Sequence, residues 1–453
     1  MMRPLSIGII ALALTACATS SPPSPNDLPP APPTHWRADT AGTSSVQTGW
    51  WRAFGDPHLE SAIERALASN TDLAAAEARL REAEALATQA RSALFPSLTA
   101  AVAAQNARAL NASGQASRSA NVQPQLQAAY EVDLWGRLRA ANDAARASLQ
   151  ASRYARDAAA LSVAAATARA YVQLMSLDAQ LAIARDTLIS RDQALRVATR
   201  RTQAGHTSRL EQAQAEVEQR TAARRVPALE LAVRQQENAL RLLTGDLPGP
   251  VKRGRFDAAT IPEPVPGLPS SLLARRPDIA QAEAELASAD ATFASNRAAL
   301  LPQVSLTASV GRLFVERIDP VNVWSLGGSL LAPLFDGGLR AAQADAAQAR
   351  RDQAALAYRA VVLNAFLETE NALEGVVRLE RQAIEASAQR TAVTEALKYA
   401  RNRYRAGYAS YLEELDAQRG LLNAEVELVQ LRESRLLNAI ALYQALGGGW
   451  STD

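Results

Sequence analysis

The chain of 453 residues holds a single cysteine, Cys17, so no disulfide can form within it. Aromatic residues make up only 5% although 48% of the chain is hydrophobic, and much of that share is alanine. A large globular core uses more Leu, Ile and Phe, so the composition favours an elongated helical architecture. Neither sign of charge dominates: 48 Lys and Arg against 46 Asp and Glu leave +2, interspersed and without a basic block. That argues against a nucleic-acid partner. Beyond the N-terminus no stretch approaches the about 18 consecutive apolar residues of a membrane-spanning helix. A chain of this kind that crosses a membrane must do so with strands. Catalytic signatures are also missing, with no G-x-S-x-G, no G-x-G-x-x-G and no Walker loop. His35, His58 and His206 lie far apart, without Cys or Glu at metal-ligand spacing. The chain reads as a non-enzyme that calls for no metal and no cofactor.

What is present begins at the N-terminus. Met1, Met2 and Arg3 precede "LSIGIIALALTA", which is too short to span a bilayer and has the layout of a secretory signal over residues 1–16. It ends in "LTAC", which resembles the bacterial lipobox and so implies that Cys17 is lipidated and becomes the mature N-terminus. The "ATSSPPSPNDLPPAPPT" that follows cannot be helical and reads as an extended tether within residues 17–60.

An internal repeat dominates the rest. "DLAAAEARLREAEALATQARSALFPSLT" from Asp72 aligns with "DIAQAEAELASADATFASNRAALLPQVS" from Asp278 at a shift of 206. "LWGRLRAA" ending at Ala141 matches "LFDGGLRAA" ending at Ala342 at a shift of 201. "QAGHTSRLEQ" (203–212) matches "RAGYASYLEE" (405–414), and "ALRLLTG" to Gly245 matches "ALYQALG" to Gly447, both at 202. Matches in one order with slowly drifting shifts mark a duplication. The expected units are repeat 1 over 61–245, a Pro- and Gly-rich linker over 246–271, repeat 2 over 272–447 and a short tail over 448–453.

Within each unit the hydrophobic period changes. After Pro96, Leu98, Ala100, Val102 and Ala104 share one side, and Leu126, Ala128, Tyr130, Val132 and Leu134 do so opposite Gln125, Gln127, Glu131 and Asp133. Val304, Leu306, Ala308 and Val310, then Trp324, Leu326, Leu330 and Leu334, repeat this in the second unit. Period two predicts strands with one apolar face, near ten residues long. They form hairpins over 97–135 and 303–335, with polar loops at "RALNASGQASRSAN" and "ERIDPVN". From Arg137 to Gln203 there is neither Pro nor Gly, and Leu174, Leu181, Leu188 and Leu195 follow a heptad. That predicts a helix on the order of 100 Å long, packed against neighbours. Gly205 and Gly407 end the two long helices at tip turns 203–211 and 405–413. Ser208 and Ser410 are placed to cap the returning helices, with Glu211 and Glu413 three residues on as in a capping box. A soluble hairpin on a coiled-coil spacer carries the same patterns, so these alone do not separate a conduit from a spacer or adaptor lipoprotein.

"TGWWRAFGDPHL" (48–59), "LLARRPDIAQAEAEL" (272–286), the two glycine turns and the lipobox together resemble the TolC-like outer-membrane efflux proteins, in the lipoprotein branch that serves resistance-nodulation-division pumps. The resemblance spans essentially the whole mature chain. It implies a mainly α fold with a membrane β-barrel: a homotrimer whose four strands per chain close a twelve-stranded barrel in outer-membrane lipid, continued by a twelve-helix tunnel into the periplasm. The function implied is the exit duct of a tripartite drug-efflux system, partnered by a periplasmic adaptor and an inner-membrane pump. Adaptor docking falls on Gly205, His206, Thr207, Ser208, Arg209 and Leu210 in one tip, and on Gly407, Tyr408, Ala409, Ser410, Tyr411 and Leu412 in the other. A periplasmic gate falls on Glu413 and Asp416. Tyr404 bonded to Glu211 and the charge of Arg403 or Arg405 would hold it shut. Glu413 departs from the aspartate usual in the family, which leaves its orientation open.

Overall fold

The computed structural model describes residues 31–38, 46–110, 113–316 and 318–451. The signal segment and Cys17 lie outside the described residues. After a short 3-10 helix at Trp50–Phe54 come two α-helices, α1 (Pro57–Ser69) and α2 (Thr71–Ser92). Strands β1 (Ser97–Leu110) and β2 (Ala116–Val132), the long helix α3 (Arg137–Gln203) and the returning helix α4 (Arg209–Leu243) complete the first unit. The second runs α5 (Pro277–Ala298), β3 (Gln303–Val315), β4 (Ile318–Leu331), α6 (Leu339–Arg405) and α7 (Tyr411–Ala445).

The long helices are 67 residues each and run uninterrupted because nothing in them breaks the hydrogen-bond ladder. Each starts behind a left-handed glycine, Gly136 at φ 78° and Gly338 at φ 88°. An aspartate just upstream supplies the cap. Asp133 accepts from the amides of Leu138 (3.1 Å) and Arg139 (2.9 Å), and Asp336 from those of Gly338 (3.0 Å) and Arg340 (3.3 Å). Two of the orphan donors at each helix start are thereby satisfied by a side-chain carboxylate.

Packing arranges the helices as a wall. Near the strands the neighbours run α2, α3, α5, α6; toward the tips they run α4, α3, α7, α6. α3 and α6 thus extend the whole length, while a short and a returning helix share each flank. Leu174 and Leu181 of the heptad are buried, whereas Leu188 and Leu195 nearer the tip are half-buried. Alanine is the commonest of the other buried residues of α3, with Ala164, Ala165, Ala168 and Ala184 among them.

The strands form one antiparallel sheet in the order β1-β2-β3-β4. At 14, 17, 13 and 14 residues they exceed the expected ten. The loops are correspondingly shorter than expected. Pairing continues to Leu110 with Ala116 and to Val315 with Ile318, because backbone pairing persists where side chains turn polar. Leu134 and Leu334 fall beyond the strand ends, in the turns leading to α3 and α6.

The densest core lies midway along the wall, where a belt wraps it. Trp50 stacks on Tyr443 at 5.1 Å and packs with Phe54, Leu59, Ile63 and Tyr171. The linker joins through Arg253, which donates to Asp178 and, at 2.6 Å, to the buried Glu237. Asp56 caps α1 and accepts 2.7 Å from the Tyr171 hydroxyl, which in turn accepts 2.9 Å from the Gly254 amide. Three part-buried contacts, Asp56 and Gly254 to Tyr171 and Arg253 to Asp178, fix the belt to α3.

Candidate functional site

Two regions carry chemistry: the sheet and the helix tips. Cross-strand pairing places Leu98 opposite Ala128, Ala100 opposite Leu126 and Val102 opposite Pro124. It sets Leu126 against Val310 and Val310 against Trp324, so the apolar sets of all four strands share one face. That face is uncovered, with Leu98 73% and Trp324 76% exposed. From Val132 up to Val122 it spans about 34 Å of strand at ~3.4 Å per residue, or roughly 26 Å of height at a tilt near 40°. This matches the apolar band of a membrane barrel, about 25 Å tall. The opposite face carries Gln123, Gln125 and Gln127 beside Ser305, Thr307, Ser309 and Ser325. Among the described residues of the strands, its acidic side chains are Glu131, which receives Arg137 at 2.7 Å, and, by the alternation of β4, Asp319 at the far rim. One face thus suits lipid and the other water.

At the first tip, Gly205 adopts φ 74° and the His206 amide closes back on the Arg201 carbonyl at 2.8 Å. At the second, Gly407 has φ 80° and Tyr408 closes on Arg403 at 2.9 Å. Both are helix ends that need a left-handed residue. His206, Ser208, Arg209, Leu210, Gly407, Tyr408, Ser410 and Leu412 are exposed, while Thr207 and Ala409 are half-buried. Tyr411 is not part of this open surface. Its ring is buried with Ala198, Ala215 and Leu415, because the first turn of α7 leans on α3 and α4.

The capping boxes form only in part. Ser208 accepts 3.3 Å from the Glu211 amide, but the Glu211 carboxylate turns away, to the Thr207 hydroxyl at 2.5 Å and to the Tyr404 hydroxyl of the other hairpin. Ser410 makes no side-chain cap; the Glu413 amide bonds its carbonyl at 3.2 Å. Glu413 instead faces Arg403 at 3.5 Å, and Asp416 is exposed. Arg405 is exposed as well.

Tyr404 joins the hairpins. Besides Glu211 it receives Arg201 at 3.1 Å, with that guanidinium 5.5 Å from the ring centre. Burial, reinforced by the bond to Glu211, pushes the phenol up to about 12. About two to three turns deeper lies a second cross-hairpin knot that the sequence reading missed. Arg191, 4% exposed, meets Gln418 and Glu218 (3.6 Å), and Arg419 also reaches Glu218. Buried Glu414 pairs with Arg401 at 3.3 Å. The signal available was a string of Arg and Glu on helices, which reads equally well as a solvated face. Among the described residues no cluster of His, Cys, Asp and Glu could hold a metal, and no helix is long and apolar enough to cross a membrane.

A family model described as outer membrane efflux protein matches residues 62–246 and 268–448. The chain belongs to that family. Among relatives of this efflux protein, the pyoverdine export outer membrane protein OpmQ of Pseudomonas aeruginosa is 37% identical over 469 residues, covering 100% of this chain and 98% of OpmQ. The toluene efflux pump outer membrane protein TtgC of Pseudomonas putida is 30% identical, covering 98% and 95%. Among solved structures, the outer membrane channel CmeC of Campylobacter jejuni superposes with a TM-score of 0.86 at 26% identity, over 91% of this chain and 90% of CmeC. The efflux protein is therefore an outer-membrane transport channel. The spacer and adaptor alternatives fall away, since the match takes in both units of helices and strands.

Proposed function

We propose that the chain is the exit duct of a tripartite efflux system. Three copies form a barrel and tunnel through which a periplasmic adaptor and an inner-membrane pump of the resistance-nodulation-division class expel drugs or other small toxic compounds. The observation that carries this is the pair of unpaired sheet edges. A four-stranded sheet in the order β1-β2-β3-β4 leaves β1 and β4 open, while its apolar face matches a bilayer in height. Backbone groups cannot stay unpaired in lipid, and four strands are too few to close a barrel. Pairing β4 of one copy with β1 of the next removes every edge, and three copies give twelve strands.

In this reading Cys17 carries the lipid anchor, Ala18 follows it, and the two units are the halves of one tunnel segment. The exposed tips around Gly205 and Gly407 meet the adaptor. Glu413 and Asp416, both exposed on the first turns of α7, line the tunnel's inner mouth, and three chains bring six carboxylates toward one axis, which attracts cations. Tyr404, Glu211 and Arg403 hold the mouth narrow. The test is the mass of the detergent-solubilised protein together with its conductance in a planar bilayer. Trimers that conduct are expected, and water-soluble monomers without conductance would overturn the proposal.

A further inference from the structure

Above the apolar band, the outward face of the first hairpin changes character. β1 and β2 pair in unbroken register, so the face that carries Leu98, Val102, Val122 and Leu126 continues to Arg108, which sits directly opposite Arg118. Like charges opposed across a strand pair repel and destabilise the pairing. Here neither arginine has an acidic partner among the described residues. The Arg118 Nε donates 3.1 Å to the Asn106 side chain of the same face, which orients the guanidinium, and Arg108 has no hydrogen-bond or ion-pair partner among the described residues. The Arg pair lies two rows beyond Val122, about 14 Å further along the strand at ~3.4 Å per residue. That is the depth of lipid headgroups on the side away from the helices. Arg312 of the same face lies three rows lower, in the row of Asn322 and about 20 Å along the strand at ~3.4 Å per residue, with its guanidinium 5.9 Å from the ring of Phe314, so it stands apart from the pair.

We infer that Arg108 and Arg118 form a seat for the phosphate of an anionic lipid headgroup in the outer leaflet. Two guanidinium forks on one face, one of them held by an amide, suit the bidentate binding of phosphate oxygens. A phosphate between them also converts a repulsive pair into a bridged one. The inference rests on the outer-membrane reading, in which the apolar face meets lipid. A membrane lipid is favoured over a free phosphate because the seat is contiguous with the exposed apolar face, where acyl chains lie.

The test reconstitutes the full chain in bilayers that mix phosphatidylcholine with phosphatidylglycerol, one lipid brominated at a time, and follows quenching of tryptophan fluorescence. Trp324 reports, because it sits on the same face. The wild type is expected to prefer phosphatidylglycerol about three- to tenfold. R108Q/R118Q is expected to lose that preference, while R108K/R118K keeps a part of it. Conductance of each variant in a planar bilayer shows separately whether the channel is intact, so failure of the site and failure of the channel reading are told apart. An undiminished preference in a conducting R108Q/R118Q channel, or no preference in the conducting wild type, overturns the seat. Abolition of the preference by inorganic phosphate, but not by chloride of equal ionic strength, would assign the arginines to a free anion and overturn the lipid.

Discussion

Removing one oxygen at the proposed tunnel mouth is the sharpest test of how it is held. Tyr404→Phe keeps the ring, its 5.7 Å packing on Tyr411 and the Arg201 guanidinium over its face, and deletes only the hydroxyl between Arg201 and Glu211. A hydrogen bond to a charged group contributes about 1.5–3 kcal/mol. Two features lower that figure here: Tyr404 is half-exposed, and Glu211 keeps the Thr207 hydroxyl, so no carboxylate is orphaned. About 1 kcal/mol per chain is the working value. If the mouth opens only when all three chains release, the loss is about 3 kcal/mol, on the order of a hundredfold in the closed-to-open ratio. Single-channel recording measures it as dwell time in the high-conductance state. A Tyr404→Phe channel with wild-type dwell times would refute the assignment of this bond to the closed mouth.

Raising pH should imitate that variant. The Tyr404 phenol lies above its ordinary 10.0, at about 12, so its contribution is complete below pH 10 and is lost as pH rises toward about 12. Conductance should climb in that window, and Tyr404→Phe should abolish the climb. Glu413→Ala with Asp416→Ala should relieve block by periplasmic divalent cations and lower cation selectivity; unchanged block would place the acidic ring elsewhere. Gly407→Pro removes the amide that closes on the Tyr404 carbonyl at 3.0 Å and forbids φ 80°, so export should fail while the oligomer still assembles, as drug susceptibility and cross-linking would show. Gly254→Ala sets a methyl 2.6 Å from an Asp56 oxygen and displaces the cap of α1 and its bond to Tyr171. A cost of about 2 kcal/mol is expected, visible as a lower thermal midpoint, and an unchanged midpoint would show that Asp56 yields freely.

The sequence made the rods and turns legible because they depend on local rules. The absence of breakers from Arg137 to Gln203 coincides with the limits of α3, and Gly205 and Gly407 take the left-handed turns their isolation suggests. The strand faces were readable because period two survives in any register. What escaped were features set by approach between distant segments. Ser410 resembles Ser208 in spacing, yet the Glu413 amide bonds its carbonyl and Glu413 turns to Arg403. Arg191 is one arginine among many until packing buries it against Glu218 and Gln418. Gly254 passes for a linker residue, although its missing side chain is what lets Asp56 reach Tyr171. The strand ends were misjudged because hydrophobicity marks where lipid stops, whereas backbone pairing goes further.

The alanine seams between α3 and its neighbours carry a consequence for how the wall is ordered. An alanine has no rotamers to lose, so closing a seam of Ala164, Ala165, Ala168 and Ala184 costs almost no side-chain entropy. Each methyl also contributes little, about 0.8 kcal/mol when fully buried, so cohesion accumulates with length and does not reside in anchors. Such a wall resembles a zipper of many weak teeth. It tolerates the loss of any one tooth, and it is vulnerable to a bulky residue that holds two rods apart along several turns.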